Sequence, residues 1–97
     1  DSRESVLATA VPAAAFSRDV SGVRLFSFAV FNPGAAAAVV RLEISPDGVH
    51  WAADTPDQEV VPGALLVLVP RFFLRYARVV YWAASPTPLI VWFQAQS

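Results

Sequence analysis

Apolar side chains run through this chain in short blocks, set off by prolines, glycines, serines and an asparagine. The blocks are "VRLFSFAVF" (23–31), "AVVRLEIS" (38–45), "ALLVLVP" (64–70), "LRYARVVYWAA" (74–84) and "PLIVWFQAQ" (88–96). Valine and aromatic side chains dominate them, and such side chains fit the pleated, half-buried surface of a strand. Several such runs with turn signals about every 8–12 residues predict a sandwich or barrel. In 38–45 the alternation is plain: Val40, Leu42 and Ile44 face one way, Arg41 and Glu43 the other. "AAAA" at 35–38 favours a helix by propensity. It follows the turn "NPG" and runs straight into "VVRLEI", so it is expected to open a strand. No helix of about ten residues fits between the breakers. The fold expected is all-β: an antiparallel β-sandwich, jelly-roll or immunoglobulin-like, of about seven to eight short strands.

The breakers carry specific turn chemistry. "FNPGA" puts Pro33 and Gly34 at the central positions of an expected type II turn. "SPDG" puts Ser45, Pro46, Asp47 and Gly48 in the preferred slots of a type I turn, with glycine free to take a positive φ. "VPG" (61–63) and "SPTP" (85–88) mark two further corners. The N-terminal "DSRESVLATAVPAAAFSRD" differs from the rest, being polar first, then small, apolar and interrupted by Pro12. Proline is confined to edges, strand starts and bulges. Residues 1–19 are therefore expected as an extended arm, and residues 20–97 as one sandwich domain.

Composition sharpens this picture. The chain has 97 residues, 56% of them hydrophobic and 15% charged. A typical soluble domain is about 45–50% apolar with glycine included and about 25% charged. A chain this short buries only about 60–65% of the surface that it exposes when unfolded. A transmembrane helix needs about 20 consecutive apolar residues, and Arg24, Arg41, Pro62, Pro70, Arg71, Arg75, Arg78 and Pro86 interrupt every long run. Membrane insertion is thus not expected. A formal charge of −1, with seven arginines scattered along the chain and no lysine, offers no field for nucleic acid. Without cysteine there is no disulfide, thiolate metal site or cysteine nucleophile. A chain that starts at Asp1 and lacks methionine is expected to be a processed or trimmed product.

Candidate chemistry gathers in "EISPDGVHW" (43–51), which holds the only histidine. His50 with Glu43 and Asp47 is a poor tetrahedral set, since zinc takes three or four protein ligands. Asp47, Asp54, Asp57 and Glu59 are hard oxygen donors but lack EF-hand spacing. A lone histidine without a partnered nucleophile gives no catalytic constellation. The stretch is read as structural: a turn, with Trp51 folding back to plug the core. No cofactor, metal or enzymatic activity is expected. Trp51, Trp82, Trp92, Tyr76 and Tyr81 offer the alternative of an aromatic platform for a polysaccharide.

The apolar excess carries the main functional expectation. "ALLVLVP" has no polar outward face in either register, and "LFSFAVF" offers only Ser27. Such strands are expected to be covered on both faces, and the simplest cover is another copy of the chain. The residues expected at that interface are Val6, Leu7, Val11, Phe16, Leu66, Leu68 and Trp92, with the arm docking on a neighbour by strand addition. Arg3, Arg18 and Arg24 would pair there with Asp54, Asp57 or Glu59 and set the register.

Together, "FNPG", "LEISPDGVHW", "VPGALLVLVPRFFLRYARVVYWA" and "TPLIVWFQAQ" resemble an uncharacterised family of small all-β domains from spore-forming bacteria, over about residues 20–97. In plan, an apolar arm before a small sandwich is also similar to subunits of bacterial surface and spore appendages, although those use cysteines. No established activity comes with that family; with the apolar excess, the expectation is a homo-oligomeric or polymeric subunit of an extracellular or spore-surface filament or layer.

Overall fold

The computed structural model describes residues 2–96 as two packed antiparallel sheets with no helix. The strands are β1 (Ser2–Ala8), β2 (Ala13–Ala14), β3 (Arg18–Asp19), β4 (Leu25–Phe31), β5 (Ala38–Ser45), β6 (Ala52–Ala53), β7 (Gln58–Val60), β8 (Leu65–Leu68), β9 (Tyr76–Trp82) and β10 (Thr87–Gln96). Sheet A has the order β1-β10-β4-β8, and sheet B the order β2-β9-β5-β6, with β3 also on β9 and β7 also on β5. The two-residue strands are halves of interrupted edges. Ala14 lies opposite Val80 but Arg18 opposite Ala77, so the chain slips one residue between β2 and β3, a bulge that pushes Phe16 outward. Between β6 and β7 the edge breaks at residues 54–57, where the hydroxyl of Thr55 accepts the N–H of Leu42 at 2.9 Å.

With each broken edge counted as one strand, ten strands become the eight of a jelly roll. In chain order the sheets then read 1-8-3-6 and 2-7-4-5, an arrangement in which nearly every connection crosses from one sheet to the other. The five strands expected from the apolar blocks are all present, and their pairings close the jelly roll.

The core lies between the sheets and is built from alternate residues. Phe28, Val30, Leu68 and Leu89 from sheet A meet Val40, Leu42 and Val79 from sheet B, each at most 1% exposed. Phe26, Phe28, Phe73 and Phe93 form an aromatic cluster toward one end, with ring centroids 5.2–6.1 Å apart. Phe26 meets both Phe28 and Phe73 edge-on, the arrangement favoured by the ring quadrupole. Leu68, expected at a subunit interface, is 1% exposed and belongs to this core, so no neighbour can reach it.

Three further expectations are corrected. Residues 2–8 are extended, as expected of the arm, yet they pair along their whole length with β10 of the same chain, Ser2 opposite Phe93 through Ala8 opposite Thr87. Together with β2 and β3 they complete both sheets, so the division at residue 19 is not a boundary in the fold; Asp1 and Ser97 lie outside the described residues. Ala35–Ala37 form a bend, and the strand begins only at Ala38. Gly34 has no positive φ, so the turn is not type II. Asn32 shapes it instead: its side-chain oxygen accepts the N–H of Gly34 at 2.9 Å, while its amide donates to the carbonyls of Ala36 and Val60, both at 2.8 Å. Asn32 is fully buried, and these bonds satisfy it. A Cβ on Gly34 would stand 2.9 Å from Cδ of Pro88, so glycine is required there by close packing. In "SPDG" Gly48 takes the positive φ expected of it, +81°, and the hydroxyl of Ser45 accepts the N–H groups of Asp47 and Gly48.

The contrast between the inner and outer rows is measurable. Phe28→Ala is expected to cost about 3–5 kcal/mol in urea unfolding, as a cavity in a packed core does. Leu65→Ala, at a position 60% exposed, is expected to stay within about 0.5 kcal/mol.

Candidate functional site

Two outer faces remain, and they differ in chemistry. On sheet A the pairings place Ile90 beside Phe31 and Phe31 beside Leu65, with Trp92 beside Ala29 and Ala29 beside Val67 in the next row. Leu7 stands opposite Pro88 on β1. Leu7, Leu65 and Val67 are 55–60% exposed. The polar groups on this face are Arg3, Ser5, Ser27, Gln94 and Gln96, set around the apolar rows. Arg3 lies across from Trp92, and its guanidinium stands 5.7 Å from the centre of that ring. Alternation explains the patch: each strand sends one row inward, and these blocks hold apolar residues in both rows.

On sheet B the outward row of β5 is Val39, Arg41, Glu43 and Ser45, and that of β9 is Tyr76, Arg78, Val80 and Trp82. Glu43 lies directly opposite Arg78 and two residues from Arg41 on its own strand. Its carboxylate accepts from Nε and Nη2 of Arg78 at 3.0 and 2.8 Å through one oxygen, and from Nε of Arg41 at 2.8 Å through the other. Each guanidinium also faces a tryptophan: Arg41 stands 5.2 Å from the ring centre of Trp82, and Arg78 4.0 Å from that of Trp51. The result is a ladder, Trp82–Arg41–Glu43–Arg78–Trp51, across the outer face. Pro12, Ala13, Ala14 and Val80 form a shallow depression beside it.

Burial raises the pKa of Glu43, but the hydrogen bonds from Arg78 and Arg41 outweigh it and hold the group below its ordinary value of 4.5. Glu43 is buried because its partners cover it, and a carboxylate hydrogen-bonded on both oxygens tolerates that burial.

The aromatic residues of the sequence reading are therefore divided. Trp51, Trp82 and Tyr76 share the outer face of sheet B, Trp92 lies on the outer face of sheet A, and Tyr81 points inward, 7% exposed. Trp51 is half-buried under Arg78 on the outside of sheet B and does not plug the core. The ladder was not foreseen, although Arg41, Glu43 and Arg78 each stand out as charges inside apolar blocks. Their meeting depends on the pairing of β5 with β9.

The remaining candidates are scattered. Asp47 is held well below the usual carboxylate range by the N–H of His50, then by the His50 ring and the N–H of Val49. It caps the turn, with Nδ1 of His50 at 2.6 Å from its carboxylate. Asp57 reaches Arg41 at 3.4 Å, and Asp54 accepts the N–H groups of Arg71 and Phe72 at 2.6 and 3.0 Å. The four acids proposed as oxygen donors are thus not brought together. Of the interface set, Leu7, Val11 and Phe16 are exposed, Val6 and Leu66 are half-buried against the core, and Trp92 faces outward. Arg18, expected to pair with an acid of a neighbouring copy, stands within its own chain 5.7 Å from the ring centre of Phe93.

Glu43→Gln is expected to destabilise the domain by about 1.5–3 kcal/mol at neutral pH, since it weakens charge-assisted bonds to two arginines. A carboxylate with a lowered folded pKa contributes stability above its unfolded pKa, and that stability is lost as pH falls through the folded value. Urea unfolding of wild type and Glu43→Gln should therefore converge on acidification below pH 4.5. A constant difference down to about pH 3 would show that the ion pairs contribute nothing.

Comparison with known proteins adds the following. No curated protein matches the chain. Among solved structures, the crystal structure of PirA is similar with a TM-score of 0.72 at 14% sequence identity, over 97% of this chain and 94% of that one. At that identity the likeness concerns the fold. Residues 19–97 match the family described as "Domain of unknown function (DUF6385)", nearly the span over which the sequence motifs carry their resemblance, and the chain belongs to that family.

Proposed function

We propose that this domain is a non-catalytic structural module that associates with copies of itself through the outer face of sheet A, as a subunit of an extracellular or spore-surface layer or filament. The observation that carries this reading is the continuous outward row Ile90–Phe31–Leu65 beside Trp92–Ala29–Val67, an apolar surface made of regular strands. From strand spacing it measures roughly 15 by 14 Å, about 200 Å². A standard interface buries about 800 Å² per partner. One such contact is therefore weak by itself, and a stable assembly would gain its strength from repetition. Because β1 is already paired within its own sheet, packing of faces replaces arm exchange as the route of association.

A second reading, polysaccharide binding, is favoured by the ladder on sheet B. Trp51 and Trp82 lie on one face with guanidinium groups between them, and flat rings with nearby donors suit a sugar. The guanidinium over Trp51 competes for the same ring face, which places this reading second.

Light scattering should show the average mass rising with concentration for the full chain, and not for Leu65→Glu/Val67→Glu, whose positions are exposed enough to leave the fold intact. A chain that stays monomeric at millimolar concentration ends the assembly reading. Titration with polysaccharide, followed by tryptophan fluorescence, should leave the spectrum unchanged. A spectral change that Trp82→Ala abolishes would move the assignment to the second reading.

A further inference from the structure

An edge strand leaves half of its backbone N–H and C=O groups without a strand to pair with, and proteins blunt such edges with charges, bulges, breaks or brevity. Among the described residues, three of the four sheet edges are blunted by charge or irregularity. Both edges of sheet B are interrupted, at the bulge around Phe16 and at residues 54–57. On sheet A, β1 carries Arg3 and Glu4, and the carboxylate of Glu4 reaches across to accept the N–H of Phe16 at 3.1 Å. The fourth edge is β8. From Val61 to Pro70 the chain holds no charged residue. β8 pairs with β4 without a bulge, Leu65 opposite Phe31 through Leu68 opposite Phe28, and only its length of four residues guards it.

The direction of the backbone groups follows from the ladder. Asn32 donates its N–H to the carbonyl of Ala64 at 3.1 Å, in the register that continues through β8. Antiparallel partners alternate between hydrogen-bonded and non-bonded pairs. Leu66 and Leu68 therefore turn their backbone groups toward β4, and Leu65 and Val67 turn theirs toward the open side. The side chains of Leu65 and Val67 are 60 and 55% exposed on the outer face. The same two residues thus offer outward hydrogen-bonding groups and apolar surface.

We propose that β8 pairs antiparallel with β8 of a second copy, about a two-fold axis through Leu66, and joins the two A sheets into one. In this register Leu65 lies opposite Val67 of the other copy, and Val67 opposite its Leu65. Each of these pairs closes two hydrogen bonds, about four in all. No like charges meet, because the segment has none. The apolar rows also continue across the axis, Ile90–Phe31–Leu65 running on into Val67–Ala29–Trp92 of the second copy. A foreign strand would need to be uncharged and apolar on that same face, and the second copy is both by symmetry. Joining doubles the apolar outer face to about 400 Å². The contact goes beyond the stacking of faces, since it uses backbone at an edge, and either contact can form without the other.

The test is amide hydrogen exchange of the full chain, followed residue by residue by NMR at rising concentration, beside light scattering. In the single chain the N–H groups of Leu65 and Val67 face solvent and exchange fast, while those of Leu66 and Leu68 are protected by β4. Pairing should slow Leu65 and Val67 about tenfold once about nine chains in ten are paired, with Leu66 and Leu68 little changed. Leu65→Glu/Val67→Glu strikes both contacts, so two narrower variants separate them. Val67→Pro removes an outward N–H and sets a ring on the edge, where proline leaves the β4 ladder intact. It should stay monomeric where the full chain is dimeric. Ile90→Glu, two strands away from β8, should lose the stacking of faces and keep the dimer. Fast exchange of Leu65 and Val67 at every concentration overturns the proposal and leaves the edge to a strand of another protein. So does slowing of Leu65 that persists in Val67→Pro, or a dimer kept in Val67→Pro and lost in Ile90→Glu, either of which assigns association to the faces.

Discussion

A strand has two faces, while a sandwich has one interior, and the rest of this structure depends on that mismatch. β4, β8 and β10 carry apolar side chains in both rows, and only one row of each can enter the space between the sheets. Phe28, Leu68 and Leu89 take the inner positions and are nearly inaccessible. Phe31, Leu65, Val67 and Ile90 are left on the other face by geometry alone. The apolar outer surface of sheet A is the counterpart of the core, built from the same strands with a shift of one residue.

Sheet B resolves the same constraint in another way. Its outward rows hold Arg41, Glu43 and Arg78, whose charges would be costly to bury singly. Pairing β5 with β9 brings the acid between the two bases, and the two tryptophans close over the guanidinium groups. A charged face results on one side of the molecule and a mostly apolar one on the other. The edges are treated as unequally as the faces. Both edges of sheet B are broken, one at the bulge around Phe16 and the other at residues 54–57, and broken edges resist pairing with other chains. The break at 54–57 has a second consequence, because it frees Asp54 to reach across and hold the loop after β8. Irregularity in one sheet thus positions the exposed tip of the other.

Much of the fold was legible in the sequence because it rests on local physics. The period-two alternation of Val40, Leu42 and Ile44, the breakers between blocks and the turn chemistry of "SPDG" are all properties of neighbouring residues. The main errors concern partners distant in sequence. Trp51 is apolar and follows a turn, which suits a core position, but Arg78 lies 27 residues away and draws it to the outside. Gly34 follows a proline as in a type II turn, yet the side chain of Asn32 and the approach of Pro88 fix a different bend. Leu68 and Leu65 sit in one unbroken apolar run, and only the register of β8 against β4 separates the core residue from the exposed one.

The sequence by itself determined the class of structure, since hydrophobic periodicity, β-branched content and turn residues act over a few positions and leave no room for a helix. It also determined that the apolar surface would exceed what a small interior can hold. The tertiary structure decided where that excess lies, which strand pairs with which, and that the N-terminal segment completes its own sheet. Those outcomes depend on pairings between residues far apart in the chain. A slip of one residue in any of them would exchange the buried row for the exposed one.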